Sequence, residues 1–484
     1  MRRGPLADSY WAAVVLVALA LVPFLMLTAA VLPLSKTIAP DIGMSPASFD
    51  LTVAMSDAAY AFGTVLAVQF AQHLPPRRML IGYVTLFVVA ATLAAWAPTA
   101  PVFVVGFIVE GLCTSLMLIA AVPPLVTGWP ASKMPGTAMI MNLCIFGAVA
   151  LGPTIGATQA AAHHWRPLFC AVAAIGLVAW LFAILTFEDD GPADHQAPWD
   201  VIAVVLAAGG CAAAFFGAGH MQGHAVHDAT SLVPLCVGAA AIVVLVVQQY
   251  LVERPLMPVR RLATTYPVTG IVIALFTSAA ALGLMQILLT ALAKKYSPGH
   301  LALYFLPEFV AAVLTAGLFA AVFKTRLIPV LAFSGILVLV AGAALASRVV
   351  TSGGVAATCV TAGLIGLGVG ASVSPALFMA GFSLRSSQIQ RVFALIELLR
   401  GVAAFVTAPV LAYVVTQIGG SPQNGARDGV WICLSLAGLG ALLAMVMFVA
   451  GGGRLQAPDL ERWQEENEPA WDSPAVFGRF RDQA

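Results

Sequence analysis

"NLCIFGAVALGPTIGATQAAAHHWRPLF", residues 142 to 169, shows what solvent this chain folds in. From Leu143 to Ala162 it holds no Asp, Glu, Lys or Arg, and about 20 mainly apolar residues are what an α-helix needs to cross a bilayer core of ~30 Å. Gly152 and Gly156 stand four apart, a small-xxx-small face that lets another helix come close. Pro153 between them loosens the backbone locally, which a membrane helix tolerates when its neighbours satisfy the freed groups. Such a helix is suited to slide or bend.

The rest of the chain has the same character. Of its 484 residues 61% are hydrophobic and 9% charged, against roughly 45–50% and about 25% in soluble domains. A water-soluble fold is excluded. The net charge is +1, so no charge imbalance points to nucleic acid or an acidic partner. The seven cysteines are scattered without a CxxC pair and read as small buried hydrophobes. The N-terminus starts with Arg2 and Arg3, but the apolar stretch behind it is too long for a cleaved signal, so it is expected to remain as a first membrane helix.

Bounding the apolar runs by Pro, Gly and charge gives fourteen candidate helices: about 11–34, 50–72, 79–98, 101–124, 135–161, 167–187, 201–219, 231–252, 265–293, 299–322, 327–347, 355–382, 391–416 and 430–450. A polar break, "EDDGPADHQAPWD" at 188–200, follows the sixth. One set of alternate loops, with the termini, carries sixteen Lys and Arg, and the opposite set carries six; Arg400 alone lies inside a span. Positive loops stay cytoplasmic, so both termini are expected inside a plasma (inner) membrane. Setting the first six helices on the last six aligns Pro123 and Pro124 with Pro375, and Gly152-Pro153 with Ala408-Pro409. Matching interruptions in two halves are a mark of duplicated transporter folds. The expected division is therefore a six-helix bundle at 1–187, a linker at 188–264 with two added helices, a second bundle at 265–450, and a cytoplasmic tail at 451–484.

The fifth helix and its exit resemble the major facilitator superfamily, in particular its fourteen-helix drug:proton antiporter branch. There a Gly-Pro-x-x-Gly-Gly motif is followed by a Trp-Arg pair; here the matching residues are Gly152, Pro153, Gly156 and Ala157, then Trp165 and Arg166. With Gly147, these make the expected conformational element. Further likeness lies in "VERPLMPVRRL" and in Arg400 within "ELLRGVAAF". The chain also departs from the pattern. In "QHLPPRR" only Arg77 and Arg78 remain of a loop motif that normally has an Asp and a Gly, with His73 and Pro76 in their places. Phe107 stands four residues before Gly111 where the family has an Arg, and Val31 where it has an Asp. The resemblance therefore does not carry over the usual proton-coupling residues.

Ionisable groups inside a span are costly and are functional candidates by default. Five are found: Asp57, Glu110, Glu308, Glu397 and Arg400. Glu397 and Arg400 are three apart on one helix face, where they can pair; the pair is either a structural clamp or a protonation switch. The family usually has Asn at the place of Glu397. Asp57, where the family has a Tyr, has no basic neighbour in sequence; it is a proton-coupling candidate, or a carboxylate hydrated in a groove. Glu308, after Pro307, is a further coupling candidate. Glu110 and Gln286 are candidates for lining a substrate cavity. Lys36 reads as a residue snorkelling from the outer end of the first helix. His220, His224, His227 and Asp228 have spacings a metal could use, but no second shell is visible in sequence, and no metal is assigned. "GLIGLGVG", 363–370, lies in an apolar span and reads as close helix packing.

The expectation is an all-α integral membrane protein without cofactor or enzymatic constellation. By resemblance it is a secondary transporter exporting drugs or amphipathic small molecules in exchange for protons. Its partners would be the small-molecule substrate, the lipid bilayer and protons; a periplasmic adaptor and an outer-membrane duct are further partners left open, and nucleic acid is none. The alternatives are a proton-independent facilitator or exporter, and a non-transporting receptor of the same fold.

Overall fold

The structure is a computed structural model and describes residues 4–186, 197–221, 228–415 and 422–476. Fourteen helices are long and apolar enough to cross a membrane. They are α1 (Tyr10–Asp41), α2 (Pro46–His73), α3 (Pro76–Ala95), α4 (Ala100–Thr127), α5 (Met134–Ala161), α6 (Arg166–Thr186), α7 (Val201–His220), α8 (Ala229–Leu251), α9 (Thr265–Leu292), α10 (Pro298–Val322), α11 (Ile328–Ser352), α12 (Val355–Phe382), α13 (Ile389–Tyr413) and α14 (Pro422–Ala450). Among the described residues the only β-type pairing is an isolated bridge between Thr264 and Ala475. The all-α, fourteen-span expectation holds.

Local chemistry sets the ends. Ser45 Oγ accepts from the Ser48 N–H at 3.1 Å, and Pro46, which has no donor to lose, takes the first position of α2. Gly353, at φ 68°, closes α11 in the left-handed conformation that a side chain resists. Two boundaries differ most from the sequence reading. The first helix runs on past Pro33, Lys36 and Pro40 to Asp41, because prolines inside a membrane helix cost little when neighbours are close. The last begins at Pro422, its polar first turns extending the apolar run.

The chain forms two compact units. Unit 1 comprises Met1–Gly128, Leu151–Gln248 and Ser297–Ala302; unit 2 comprises Trp129–Ala150, Gln249–Tyr296 and Leu303–Ala484. Within unit 1, α4 packs on α1, α2 and α3, while α6 packs on α1 and α3, and α7 on α2. Within unit 2, α9 contacts α11, α12, α13 and α14, and α11 lies against α12 and α14. Lipid gives apolar helices no reason to leave it, so close backbone approach and dispersion hold such bundles. The glycines of α12 show this: a Cβ on Gly366 would lie 2.2 Å from Glu308 O, and one on Gly368 2.8 Å from Leu339 Cβ. The stretch 363–370 is a packing surface.

Candidate functional site

In α5 the helix ladder changes at Leu143–Gly147, which form a π turn between two α-helical parts. Single π turns inside α-helices recur at functional sites. Gly147 ends that turn, and a Cβ there would meet the Leu143 side chain at 2.7 Å. Gly152 and Gly156 then seat the following part on α1. Added Cβ atoms would lie 2.6 Å from Met26 O and 2.2 Å from Ala30 O, with Pro153 inside the helix between them. The Trp-Arg pair closes this end of unit 1: Trp165 Nε1 donates to Asp41 Oδ2 at 2.9 Å, and Arg166 pairs with the same carboxylate and donates to Ala97 O at 3.2 Å.

Glu397 and Arg400 meet in unit 2. The Arg400 Nε donates to Glu397 Oε1 at 3.2 Å, and its Nη2 to Oε2, so the fork binds both oxygens. Glu397 is 2% exposed and Arg400 8%. The guanidinium carbon lies 5.6 Å from the ring centre of Phe146, inside the π turn. One turn earlier, Asn142 Nδ2 donates to Gly370 O of α12 at 3.0 Å. The leading half of α5 is thus tied to α12 and faces the ion pair of α13.

The carboxylates of unit 1 are arranged differently. Glu110 on α4 is 0% exposed, and neither of its oxygens has a hydrogen-bond partner among the described residues. Phe107, one turn away, packs on Phe103, Phe24 and Phe169 with ring centres 5.6, 5.8 and 6.2 Å apart. An aromatic cluster therefore occupies the place where the resembled family carries an Arg. Asp57, 8% exposed, lies roughly three turns into α2. It takes part in no ion pair among the described residues. Asp57 and Glu110 belong to unit 1, and the Glu397–Arg400 pair belongs to unit 2.

Glu308 is buried in α10, its Oε2 without a partner among the described residues. Gln286 is half-buried on α9, its carbonyl accepting from Thr290 Oγ1 at 2.8 Å. Arg77 donates to Ile184 O at the end of α6, a cation completing a helix C-terminus, while Arg78 is exposed. His224 and His227, and residues 188–196 of the polar break, lie outside the described residues; His220 stacks on Phe216. Asn142, Phe146 and Asp50 were not singled out from sequence. Asn142 could have been, as a lone amide opening an apolar span. Asp50, half-buried in α2, stands seven residues before Asp57 and so on nearly the same face.

Fourteen apolar spans, a buried ion pair and a helix interrupted by a π turn and a proline are features that membrane transporters share. The sequence profile of the Major Facilitator Superfamily matches residues 16–326. The chain belongs to this superfamily. Similar curated proteins include the uncharacterized MFS-type transporter YubD of Bacillus subtilis, 22% identical over 54% of this chain and 52% of that protein. The Multidrug resistance protein B homolog of Mycobacterium tuberculosis is 24% identical over 81% of this chain and 76% of that protein. The Lincomycin resistance protein LmrB of Listeria innocua is 28% identical over 36% and 37%. The chain spans about half the length of YubD and less of LmrB. Among solved structures, the human organic anion transporter MFSD10 superposes with a TM-score of 0.63 at 13% identity, covering 90% of this chain and 99% of that one. The proton:xylose symporter XylE gives 0.62 at 14% identity, covering 93% and 98%. At such identities the two structures establish the fold.

Proposed function

We propose that this chain is a proton-coupled exporter of amphipathic or cationic small molecules, seated in the plasma membrane with both termini on the cytoplasmic side. The division into bundles 1–187 and 265–450 around the two linker helices belongs to the same proposal. Glu110 is the observation that carries it. A fully buried carboxylate with both oxygens unpartnered among the described residues is stable only when something neutralises it. A proton and a cationic substrate are the two species that do so, and exchange of one for the other is antiport. The names of the mycobacterial and listerial relatives, which speak of multidrug and lincomycin resistance, support the export reading.

A second reading, a proton-independent exporter, is favoured by Phe107: its aromatic packing leaves no basic group at the position tied to coupling in the family. Purified protein in proteoliposomes, with ethidium as the amphipathic cation, separates the two. Coupled export predicts ethidium movement that follows an imposed pH gradient and stops when an ionophore collapses it. Glu110→Gln should then abolish the gradient dependence. Equal rates with and without the gradient would establish the second reading, and no ethidium movement at all would refute the substrate class.

A further inference from the structure

Residues 454–475 follow α14 and look, in sequence, like a solvated charged tail. They fold instead as a strap on unit 2. Trp463 and Trp471 are both almost wholly buried, and their rings pack on Phe382 with centres 5.3 and 5.7 Å away. Trp463 Nε1 donates to Leu384 O at 2.8 Å, and the N–H groups of Ala470 and Trp471 both donate to Phe382 O. Asn467, at φ 53°, turns the strap and accepts from Ser386 Oγ and the Ser387 N–H. Farther along, the Thr265 N–H donates to Pro474 O at 2.9 Å, and the Tyr266 N–H to Ser473 Oγ at 3.1 Å. The strap is thereby anchored to the α12–α13 loop and to the start of α9.

Its third contact is of another kind. Gln464, half-buried, reaches from Nε2 to Trp129 O at 2.8 Å, in the loop that leads into α5. The chain enters unit 2 at Trp129 and leaves it after Ala150. The leading half of α5 is thus held in unit 2 at Trp129 by the strap, at Asn142 by Gly370 and at Phe146 by Arg400. Contacts at a wet edge exchange with water at small net cost, whereas lifting two indoles out of an aromatic cluster exposes a large apolar area. Under load the strap therefore lets go of α5 before it leaves its anchors.

We propose that residues 454–475 are a latch on the leading half of α5. Docked through Gln464, the latch fixes Trp129 and the loop that carries it. Released, it stays on the α12–α13 loop while residues 129–141 become free to shift up to the Asn142–Gly370 tie, and this release sets the pace of the conformational cycle. The proposal rests on the transporter reading above and adds an intrinsic brake to it.

Hydrogen–deuterium exchange on the full-length protein in nanodiscs tests it with Gln464→Leu, a change at a half-buried position that removes the donor and keeps the bulk. Peptides covering 129–141 should exchange about fivefold faster in the variant, the factor that one net hydrogen bond supplies. Peptides covering 463–471 should keep their protection. In ethidium-loaded proteoliposomes the variant should also turn over at least about twofold faster, by the same logic of a removed contact. Unchanged exchange at 129–141 would overturn the latch, and so would loss of protection across 463–471, which would mean the strap has no separate anchor. Faster exchange with unchanged turnover overturns the brake. If wild-type protein moves no ethidium, the substrate reading fails and the exchange arm alone decides the latch.

Discussion

Replacing one member of the buried ion pair at a time separates a clamp from a dispensable contact. At the 3.2 Å of the Arg400 Nε to Glu397 Oε1 bond, an effective dielectric of about 20 gives roughly 5 kcal/mol of attraction between the charges. Glu397→Gln removes that attraction and leaves a guanidinium that cannot shed its charge in membrane interior. The amide returns one neutral acceptor, worth about 1 kcal/mol. The expected net loss is therefore about 3–5 kcal/mol, the usual penalty for orphaning a buried charge. Arg400→Gln leaves a carboxylate instead, which a proton can neutralise, so it should cost distinctly less. The double variant Glu397→Gln with Arg400→Gln leaves no charge and should fall within about 2 kcal/mol of wild type. Unfolding in mixed micelles of rising SDS fraction, followed by tryptophan fluorescence, gives the three differences. If Arg400→Gln costs as much as Glu397→Gln, or if Glu397→Gln costs under about 1 kcal/mol, the pair is not what neutralises Arg400 and the reasoning fails.

Glu110→Leu should raise stability in the same assay by about 1–3 kcal/mol, since two unpartnered buried oxygens disappear; a loss would mean that Glu110 is satisfied in the folded protein. Gly156→Ala places a Cβ 2.2 Å from Ala30 O; forcing α1 and α5 apart should cost about 1–3 kcal/mol and lower the yield of monodisperse protein. Asp41→Asn should cost less than about 1 kcal/mol, because its pair with Arg166 is 43% exposed on each side and Asn keeps an acceptor for Trp165. Trp471→Ala removes a buried indole and should cost about 3–5 kcal/mol; a smaller loss in the mixed-micelle titration would place residues 454–475 off the bundle.

Much of this was legible in one dimension. The spans follow from hydropathy because a continuous apolar run of about 20 residues can cross hydrocarbon only as a helix that satisfies its own backbone, and the bilayer fixes its minimum length. The approach of α5 to α1 was legible in Gly152 and Gly156, since a side-chain-free face has little other use inside a membrane. Glu397 and Arg400 could be paired on paper because helical geometry alone brings positions three apart together. The identity of Phe107 was plain in sequence, but its reason was not: whether an aromatic at that position is lodged in a cluster depends on rings from α1, α4 and α6. The π turn left no mark that periodicity could detect, because the apolar residues of Leu143–Gly147 suit either ladder.

The C-terminal segment marks the boundary most clearly. Its charges are what a solvated tail would have, and nothing local distinguishes Trp463 and Trp471 from exposed aromatics. Their burial depends on Phe382, Leu384 and Tyr266, far away in the chain, and only the folded bundle brings these beneath the strap. By itself the sequence determined the solvent and the number of crossings, because these rest on composition and the length of apolar runs, and it carried the superfamily resemblance in motif residues matched along the chain. The tertiary structure decided which buried charges are paired, where α5 changes its ladder and what the tail holds, because each depends on which distant side chains arrive at the same place.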